Sequence, residues 1–402
     1  GSYLLSELIY NAKVSRVYAL NRPSKAAGVS TLAERQAKSL VERGLESDVI
    51  LGSDKLVLFE ANLSLPDFGL PKDVHQQMLS SVTHIVHNAW PVDFNLSLAS
   101  FESSIRGLHN LVNFALSSPH SVSPTLVFTS SIGVLRNLDR TESSSILENP
   151  IAAEVAVNTG YTESKWASEE ILLNASKTTR LNSIIVRVGQ LSGGINGCWN
   201  SAEWFPSLVQ SGQILGCLPT DDKVCVFLFR AATTRHLMVN WQVVDWIPLP
   251  LAAKALIDYR LAGTPGSSTI LHLVHPNPVP WSKLATPIAK ALSVELVSFS
   301  EWVNKLEEAK DKSTKEGVDE VEAMRTISAL RLLPFFRSMS AKSAQSGNAF
   351  GLVPLSRTTA LRLSPTLSNP EEAHPLGERD ALAWLHYWER VGFVKRFEQE
   401  TV

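Results

Sequence analysis

Apolar residues along the first half of the chain change period repeatedly. Leu4, Leu5, Leu8 and Ile9 recur at helical spacing, and Arg16 to Leu20 reads as a short strand. Thr31 to Arg43 carries a second helical stripe and stops at Gly44, a residue suited to a helix C-cap. Strand patterns follow at Leu56-Val57-Leu58-Phe59 and His84-Ile85-Val86-His87, and a helix is predicted over roughly Ser97 to Leu116. Beyond it come the apolar run Thr125 to Ser131, a helix opening near Tyr161, and the strand Ile184-Ile185-Val186-Arg187-Val188. Short apolar strands alternating with helices predict an α/β fold, with a parallel sheet covered on both faces. Such sheets bind ligands beyond the carboxyl ends of their strands. Ser131 stands at one of those ends.

After Gly189 the alternation breaks. Val243-Val244-Asp245-Trp246-Ile247-Pro248 leads into a helix near Leu251 to Leu261, and Thr269 to Val274 is a strand expected to rejoin the sheet. From Trp281 onward the pattern is mainly helical, with a polar, loose stretch from Ser338 to Asn348. The last predicted helix, Arg379 to Arg390, carries Trp384, Tyr387 and Trp388, which suit packing.

Composition narrows the classes. A chain of 402 residues is long enough to bury a large core. Its net charge of −2 gives no electrostatic case for nucleic acid or an anionic membrane. Cys198, Cys217 and Cys225 have neither metal-ligand spacing nor a disulfide framework, which suits a reducing, cytoplasmic setting and no metal. No apolar run approaches the roughly eighteen residues of a membrane span, and no signal peptide opens the chain.

The chemistry points to Gly160-Tyr161-Thr162-Glu163-Ser164-Lys165-Trp166. Residues four apart share a helix face, so Tyr161 and Lys165 are expected side by side. A free phenol has a pKa of about 10 and is a poor acid or base at neutral pH. An ammonium beside it is expected to favour phenolate and lower that value. A hydroxyl from a strand end, Ser131, can then orient a substrate oxygen. Isolated, the pair reads more readily as an exposed tyrosine beside a solvated lysine than as a catalytic pair. Its place between the strand ending in Ser130-Ser131 and the strand at Ile184 favours the chemical reading.

Several runs beyond that pair carry a resemblance: Gly1-Ser2-Tyr3-Leu4-Leu5, Leu20-Asn21-Arg22, His87-Asn88-Ala89, Arg187-Val188-Gly189-Gln190-Leu191-Ser192-Gly193, Val244 to Pro248 and Leu363-Ser364-Pro365-Thr366-Leu367. Together they resemble the extended short-chain dehydrogenase/reductases. More narrowly, the chain is similar to the thioester reductase domains of fungal nonribosomal-peptide-synthetase-like enzymes, carboxylic acid reductases and alpha-aminoadipate reductases. The resemblance implies a Rossmann-type doubly wound parallel sheet over residues 1–190 and 243–276. It implies a smaller, mainly helical C-terminal substrate lobe from 191–242 and 277–402. Tyr161 is then the proton donor, Lys165 holds the nicotinamide ribose, and Ser131 completes the set, with Ser130 the less suitable choice by register. Arg22, and secondarily Arg35, are candidates for a 2′-phosphate and so for NADPH. Asn62 and Leu63 fall beside the adenine, Asn62 replacing the family's aspartate. Asn88 and Ala89 line the cofactor, and Gly189, Gln190 and Leu191 pass the nicotinamide. The implied substrate is an acyl thioester on the phosphopantetheine arm of a carrier protein, reduced to an aldehyde. Two other readings remain open: an extended dehydrogenase or epimerase acting on a free or nucleotide-linked alcohol, and a non-catalytic dinucleotide-binding regulator.

The chain departs from the resembling pattern in three places. Of the glycine-rich loop that receives the pyrophosphate, only the last glycine is present, as Gly1, and the strand before that loop is missing. The fold is therefore expected to show either a slot at the sheet centre or another segment filling it, at a cost comparable to the whole stability margin. Residues 224–242 form an insertion. Pro91-Val92-Asp93-Phe94 has no tyrosine or tryptophan at the substrate-side positions.

Overall fold

The structure, a computed structural model, describes residues 1–24, 30–138, 145–220, 225–231, 234–240, 243–343 and 354–397. They fall into two compact units. The first comprises Gly1–Leu191, Ile247–Pro276 and Leu355–Ala373; the second comprises Ser192–Trp246, Asn277–Pro354 and His374–Val402.

The first unit alternates helix and strand as the apolar periods require. Its elements are α1 (Ser2–Tyr10), β1 (Val17–Asn21), α2 (Leu32–Val41), α3 (Ser47–Leu51), β2 (Leu56–Glu60), α4 (Lys72–Ser81) and β3 (His84–His87). They continue with α5 (Glu102–Ser117), β4 (Thr125–Ser131), α6 (Ala153–Ala156), α7 (Gly160–Thr178), β5 (Ser183–Val188), α8 (Leu249–Tyr259) and β6 (Ser268–Leu273). Local chemistry sets several boundaries. Thr31 and Glu34 form a reciprocal capping box that starts α2, the Thr31 N–H donating to the Glu34 carboxylate at 2.7 Å. After α2 the chain turns through Gly44 at φ 70°, a conformation that costs a residue without a Cβ least. α4 has no counterpart among the predicted helices, because its run Lys-Asp-Val-His-Gln-Gln-Met buries only Met78 and so shows little periodicity.

Strands β6, β5, β4 and β3 form one parallel sheet in that spatial order. As predicted, the strand after α8 rejoins the sheet, pairing Ser268–Leu273 with Ser183–Val188. Leu126, Val127 and Phe128 of β4 and Ile184, Ile185 and Val186 of β5 have no exposed surface. Each such side chain contributes about 1.5–3 kcal/mol.

β1 and β2 pair separately, in parallel, from Val17↔Leu56 to Asn21↔Glu60. Among the described residues β1 and β3 have no ladder between them. A cavity of about 1330 Å³ separates the two, lined by Val17–Asn21 on one side and His84–His87 on the other. Leu4 and Leu5 of α1 and Leu111 and Phe114 of α5 also face it. This is the expected slot. Its effect shows in burial: β4 and β5 are buried nearly end to end, whereas β1 and β3, which line it, are mostly half-buried.

In the second unit, a core built on tryptophan explains the aromatic C-terminal helix. Trp384 and Trp388, on the helix Glu378–Arg390, are buried with Trp199, Phe205, Trp246 and Trp281. The Trp388 indole N–H donates to the Trp199 carbonyl at 3.0 Å. Within the insertion, strand Cys225–Ala231 pairs antiparallel with strand Thr234–Asn240; residues 224, 232–233 and 241–242 lie outside the described residues. The polar stretch expected to be loose from Ser338 is helical through Ser343, within Leu333–Ser343, and 344–348 lie outside the described residues. Among the described residues no helix is long and apolar enough to cross a membrane.

Two parallel edges facing one cavity leave unpaired backbone groups and apolar side chains open to water. The 402-residue chain is therefore expected to melt without a cooperative transition and to bind a hydrophobic dye. Extending it ahead of Gly1 by an apolar strand and a glycine-rich turn, to give a strand-completed protein, should restore a cooperative melt by circular dichroism. An equally cooperative melt without the extension would show that the flanking strands suffice.

Candidate active site

α7 carries the central pair, and its start is fixed twice. Thr159 caps it, its hydroxyl accepting the Thr162 N–H at 3.3 Å while the Thr159 N–H donates to Thr162 Oγ1 at 3.2 Å. Gly160 then lies flat against the backbone of the loop that follows β3: a Cβ there would fall 2.2 Å from the Ser97 carbonyl carbon. Only glycine permits that approach. The loop is thereby held over the first turn of α7, and the ring of Phe94 meets Tyr161 edge-on at 5.1 Å.

β4 reaches α7 with three successive residues. The Ser131 hydroxyl lies close enough to the Tyr161 phenol to favour its ionised form, and its oxygen accepts the Gly133 N–H at 3.0 Å. The Thr129 carbonyl accepts from Lys165 Nζ at 2.6 Å. Ser130, the residue disfavoured by register, is committed elsewhere: it donates to the Glu169 carboxylate at 2.5 Å. The structure thus brings together Ser131, Tyr161 and Lys165 as the sequence placed them.

One electrostatic expectation is corrected. The Tyr161 phenol is held above its ordinary value, chiefly by burial, with the Ser131 hydroxyl offsetting part of that. The Lys165 ammonium does not lower it, because it points to the Thr129 carbonyl and lies 5.8 Å from the centre of the Tyr161 ring. Lys165 itself is 2% exposed. Burial lowers its pKa to about 7, against the opposing pull of the Glu169 carboxylate. What replaces water around it is aromatic: Trp90 lies 4.4 Å and Phe128 4.7 Å from Nζ, ring face to cation. His87, buried beside Trp90, is pushed down to about 3 by burial and by Lys165, and therefore remains neutral. Trp90 and His87 escaped the sequence reading. Neither has a local signal, since both act through a lysine some 75 positions away in the chain (165 − 90).

The remaining candidates divide. Gly1, Arg22, Asn62, Leu63, Asn88 and Ala89 all line the cavity beside β1 and β3. Arg22 is exposed there. Arg35 is not free: its guanidinium pairs with Glu60 and donates to the Arg22 carbonyl at 3.1 Å. Asn62 uses its side-chain carbonyl on Ser64, accepting from the hydroxyl at 2.8 Å and the N–H at 3.1 Å, which leaves its amide N–H₂ to face a ligand. Gly189, Gln190 and Leu191 lie away from that cavity. They follow β5 just past the level of Ser131, which pairs with Val188. Gly189 donates to the Leu273 carbonyl at 2.9 Å, and the Gln190 carbonyl accepts the Ile247 N–H at 2.9 Å.

The parallel sheet with helices between its strands is of the Rossmann type. The chain belongs to the NAD-binding family described as "Male sterility protein", whose model matches residues 1–233. It is 39% identical over 399 residues to the adenylate-forming reductase Nps10 of Heterobasidion annosum, covering 98% of this chain and 34% of that protein. To the carboxylic acid reductase of Neurospora crassa it is 29% identical over 402 residues, covering 96% and 34%. The chain spans about a third of the length of these curated relatives. Among solved structures it resembles the terminal R domain of the myxalamid PKS-NRPS biosynthetic pathway, with a TM-score of 0.75, 20% identity, and 99% and 90% of the two chains covered. It also resembles the R domain of a nonribosomal peptide synthetase from Mycobacterium tuberculosis, at a TM-score of 0.70 and 18% identity over 98% and 90%. At these identities the likeness establishes the fold.

Lys165 gives a prediction with a definite sign. Its folded pKa lies below its unfolded one, so between about pH 7 and 10.5 the unfolded chain binds a proton that the folded chain lacks. Stability therefore rises with pH across that window. At about 1.4 kcal/mol per unit, the burden on the charged form is on the order of 5 kcal/mol. In the strand-completed protein, Lys165→Met is expected to raise the melting temperature most at pH 6–7. The advantage should fade toward pH 10; a gain that did not change with pH would mean that Lys165 carries no such burden.

Proposed function

We propose that the domain reduces a carrier-protein-bound acyl thioester to an aldehyde, with NADPH as reductant. The observation that carries this reading is the convergence of Ser131, Tyr161 and Lys165 at the carboxyl end of β4, in the dinucleotide-binding unit. The names of the similar reductases support the reaction class. The cofactor, when bound, supplies hydride to the thioester carbonyl carbon.

The chain's own residues do the rest. The Ser131 hydroxyl and the Tyr161 phenol donate to the carbonyl oxygen as negative charge develops on it. Tyr161, protonated at neutral pH because burial raises its pKa, delivers a proton to that oxygen. The resulting thiohemiacetal collapses to an aldehyde and the free pantetheine thiol. Lys165 uses one N–H on Thr129; the ribose hydroxyls are assigned to its remaining donors by the family resemblance. Arg22, exposed on the cavity, is the residue for a 2′-phosphate. Arg35, already paired with Glu60, steadies the Arg22 backbone instead of binding phosphate itself.

The reading is tested by supplying the strand-completed protein with an acyl-pantetheine thioester and NADPH. NADPH consumption with aldehyde release is expected, and the absence of both would end it. Tyr161→Phe should lower turnover by about 10²–10⁴-fold while NADPH affinity stays within a few-fold; an equal loss of affinity would mark Tyr161 as structural. Arg22→Ala should weaken NADPH far more than NADH, by roughly 2–4 kcal/mol for a charge-assisted bond to phosphate. Unchanged cofactor preference would remove Arg22 from the site.

A further inference from the structure

A buried ion pair lies one helical turn beyond Lys165 and takes no part in the steps above. Glu169 is 1% exposed and Arg187 has no exposed surface. Arg187 grips the carboxylate from β5, Nη2 donating to Oε2 at 2.7 Å and Nε to Oε1 at 3.1 Å. Ser130 donates to Oε1 from β4 at 2.5 Å. Ser130 and Arg187 are register partners on adjacent strands, so one carboxylate ties α7 to both. Arg187 Nη1 is further anchored on the Asn149 carbonyl at 3.0 Å.

Tyr161, Lys165 and Glu169 stand at four-residue intervals, so they share one stripe of α7. The stripe meets three consecutive β4 residues, in the pairs Glu169 with Ser130, Lys165 with Thr129 and Tyr161 with Ser131. Of these three α7 side chains, Glu169 is the one that also accepts hydrogen bonds from a second strand, through Arg187 of β5. We propose that Glu169 is a positioning residue for the reaction, its carboxylate fixing the phase of α7 against the end of β4 and so the meeting of Tyr161 with Ser131.

The same carboxylate is the anion on α7 that favours a charged Lys165. The other groups facing Lys165 cannot supply that charge: Tyr161 stays a neutral phenol, His87 from β3 is neutral, and Trp90 and Phe128 offer only ring faces. On the far side of Arg187, His272 of β6 pairs in register and is also neutral, its pKa lowered to about 4 by burial. A geometric hold and a charge thus meet in one side chain. A merely structural ion pair would need neither of them at Lys165.

The kinetic arm of the test rests on the reductase reading; the spectroscopic arm does not. In the strand-completed protein, Glu169→Gln keeps the shape and loses the charge, and Glu169→Asp keeps the charge and shortens the reach. Lys165 is titrated by NMR of isotopically labelled lysine side chains, and turnover is measured with NADPH and acyl-pantetheine. Glu169→Gln should lower the Lys165 pKa by at least about half a unit and cut kcat by about tenfold or more. KM should stay within about threefold, and the alkaline limb of the kcat profile should move to lower pH, since the ammonium is lost sooner. Glu169→Asp should return the Lys165 titration toward wild type while kcat stays reduced. An unchanged Lys165 titration in Glu169→Gln would overturn the proposal, whether or not the wild type reduces thioesters. So would a fall in kcat matched by an equal fall in dinucleotide bound per chain, which would show lost fold and not lost position. Should the wild type turn over no thioester at all, the reductase reading fails and the lysine titration alone decides the role of Glu169.

Discussion

The seating of α7 on the last three residues of β4 is the constraint on which the site depends. Ser131, Ser130 and Thr129 each present a different group, a hydroxyl to Tyr161, a hydroxyl to Glu169 and a carbonyl to Lys165. A helix can satisfy all three at one rotation only. That rotation is fixed at the start of α7 by the Thr159 cap and the bare backbone of Gly160, and farther along by Arg187 on the neighbouring strand. The strand beneath is rigid for an ordinary reason: its apolar residues are buried on both faces between β3 and β5.

Placing a lysine in that seat is costly, and the surroundings show how the cost is limited. Charge on Nζ is stabilised by one short hydrogen bond, two aromatic faces and a carboxylate a turn away, not by water. The balance leaves its pKa at about 7, where small changes in the environment change its charge. Desolvation acts on Tyr161 in the opposite sense for protonation, since it disfavours phenolate as it disfavours ammonium. The result is a neutral phenol beside a lysine poised between its two forms, an arrangement suited to giving up a proton at neutral pH.

The slot between β1 and β3 belongs to the same physical account. A parallel sheet is stable when each strand is paired on both sides and covered on both faces. β4 and β5 meet that condition, and their side chains are buried; β1 and β3 do not, and they stay half open along a cavity of about 1330 Å³. The candidate dinucleotide contacts Arg22, Asn62, Asn88 and Ala89 lie along that same cavity. Sheet completeness and dinucleotide binding are therefore linked in this unit.

The sequence by itself determined what local periodicity and residue chemistry can carry. The strands from Arg16 to Val188 and the return of the strand near Thr269 follow from runs of apolar residues bounded by turns. The Tyr161–Lys165 pair and its strand-end serine follow from helical spacing and strand order. The periodicity did not show α4, which buries too little to leave a stripe, or the helical course of Ser338–Ser343. Only the tertiary structure decided the electrostatics. The rings of Trp90 and Phe128, the neutral His87 and the clamp from Arg187 through Glu169 to Ser130 converge from four strands and helices. That burial reversed the expected direction for Tyr161, and the packing of α2 on β2 tied Arg35 to Glu60. The physical reason is that a pKa or an ion pair depends on which groups exclude water from which others. That is a property of packing in space, and no spacing along the chain encodes it.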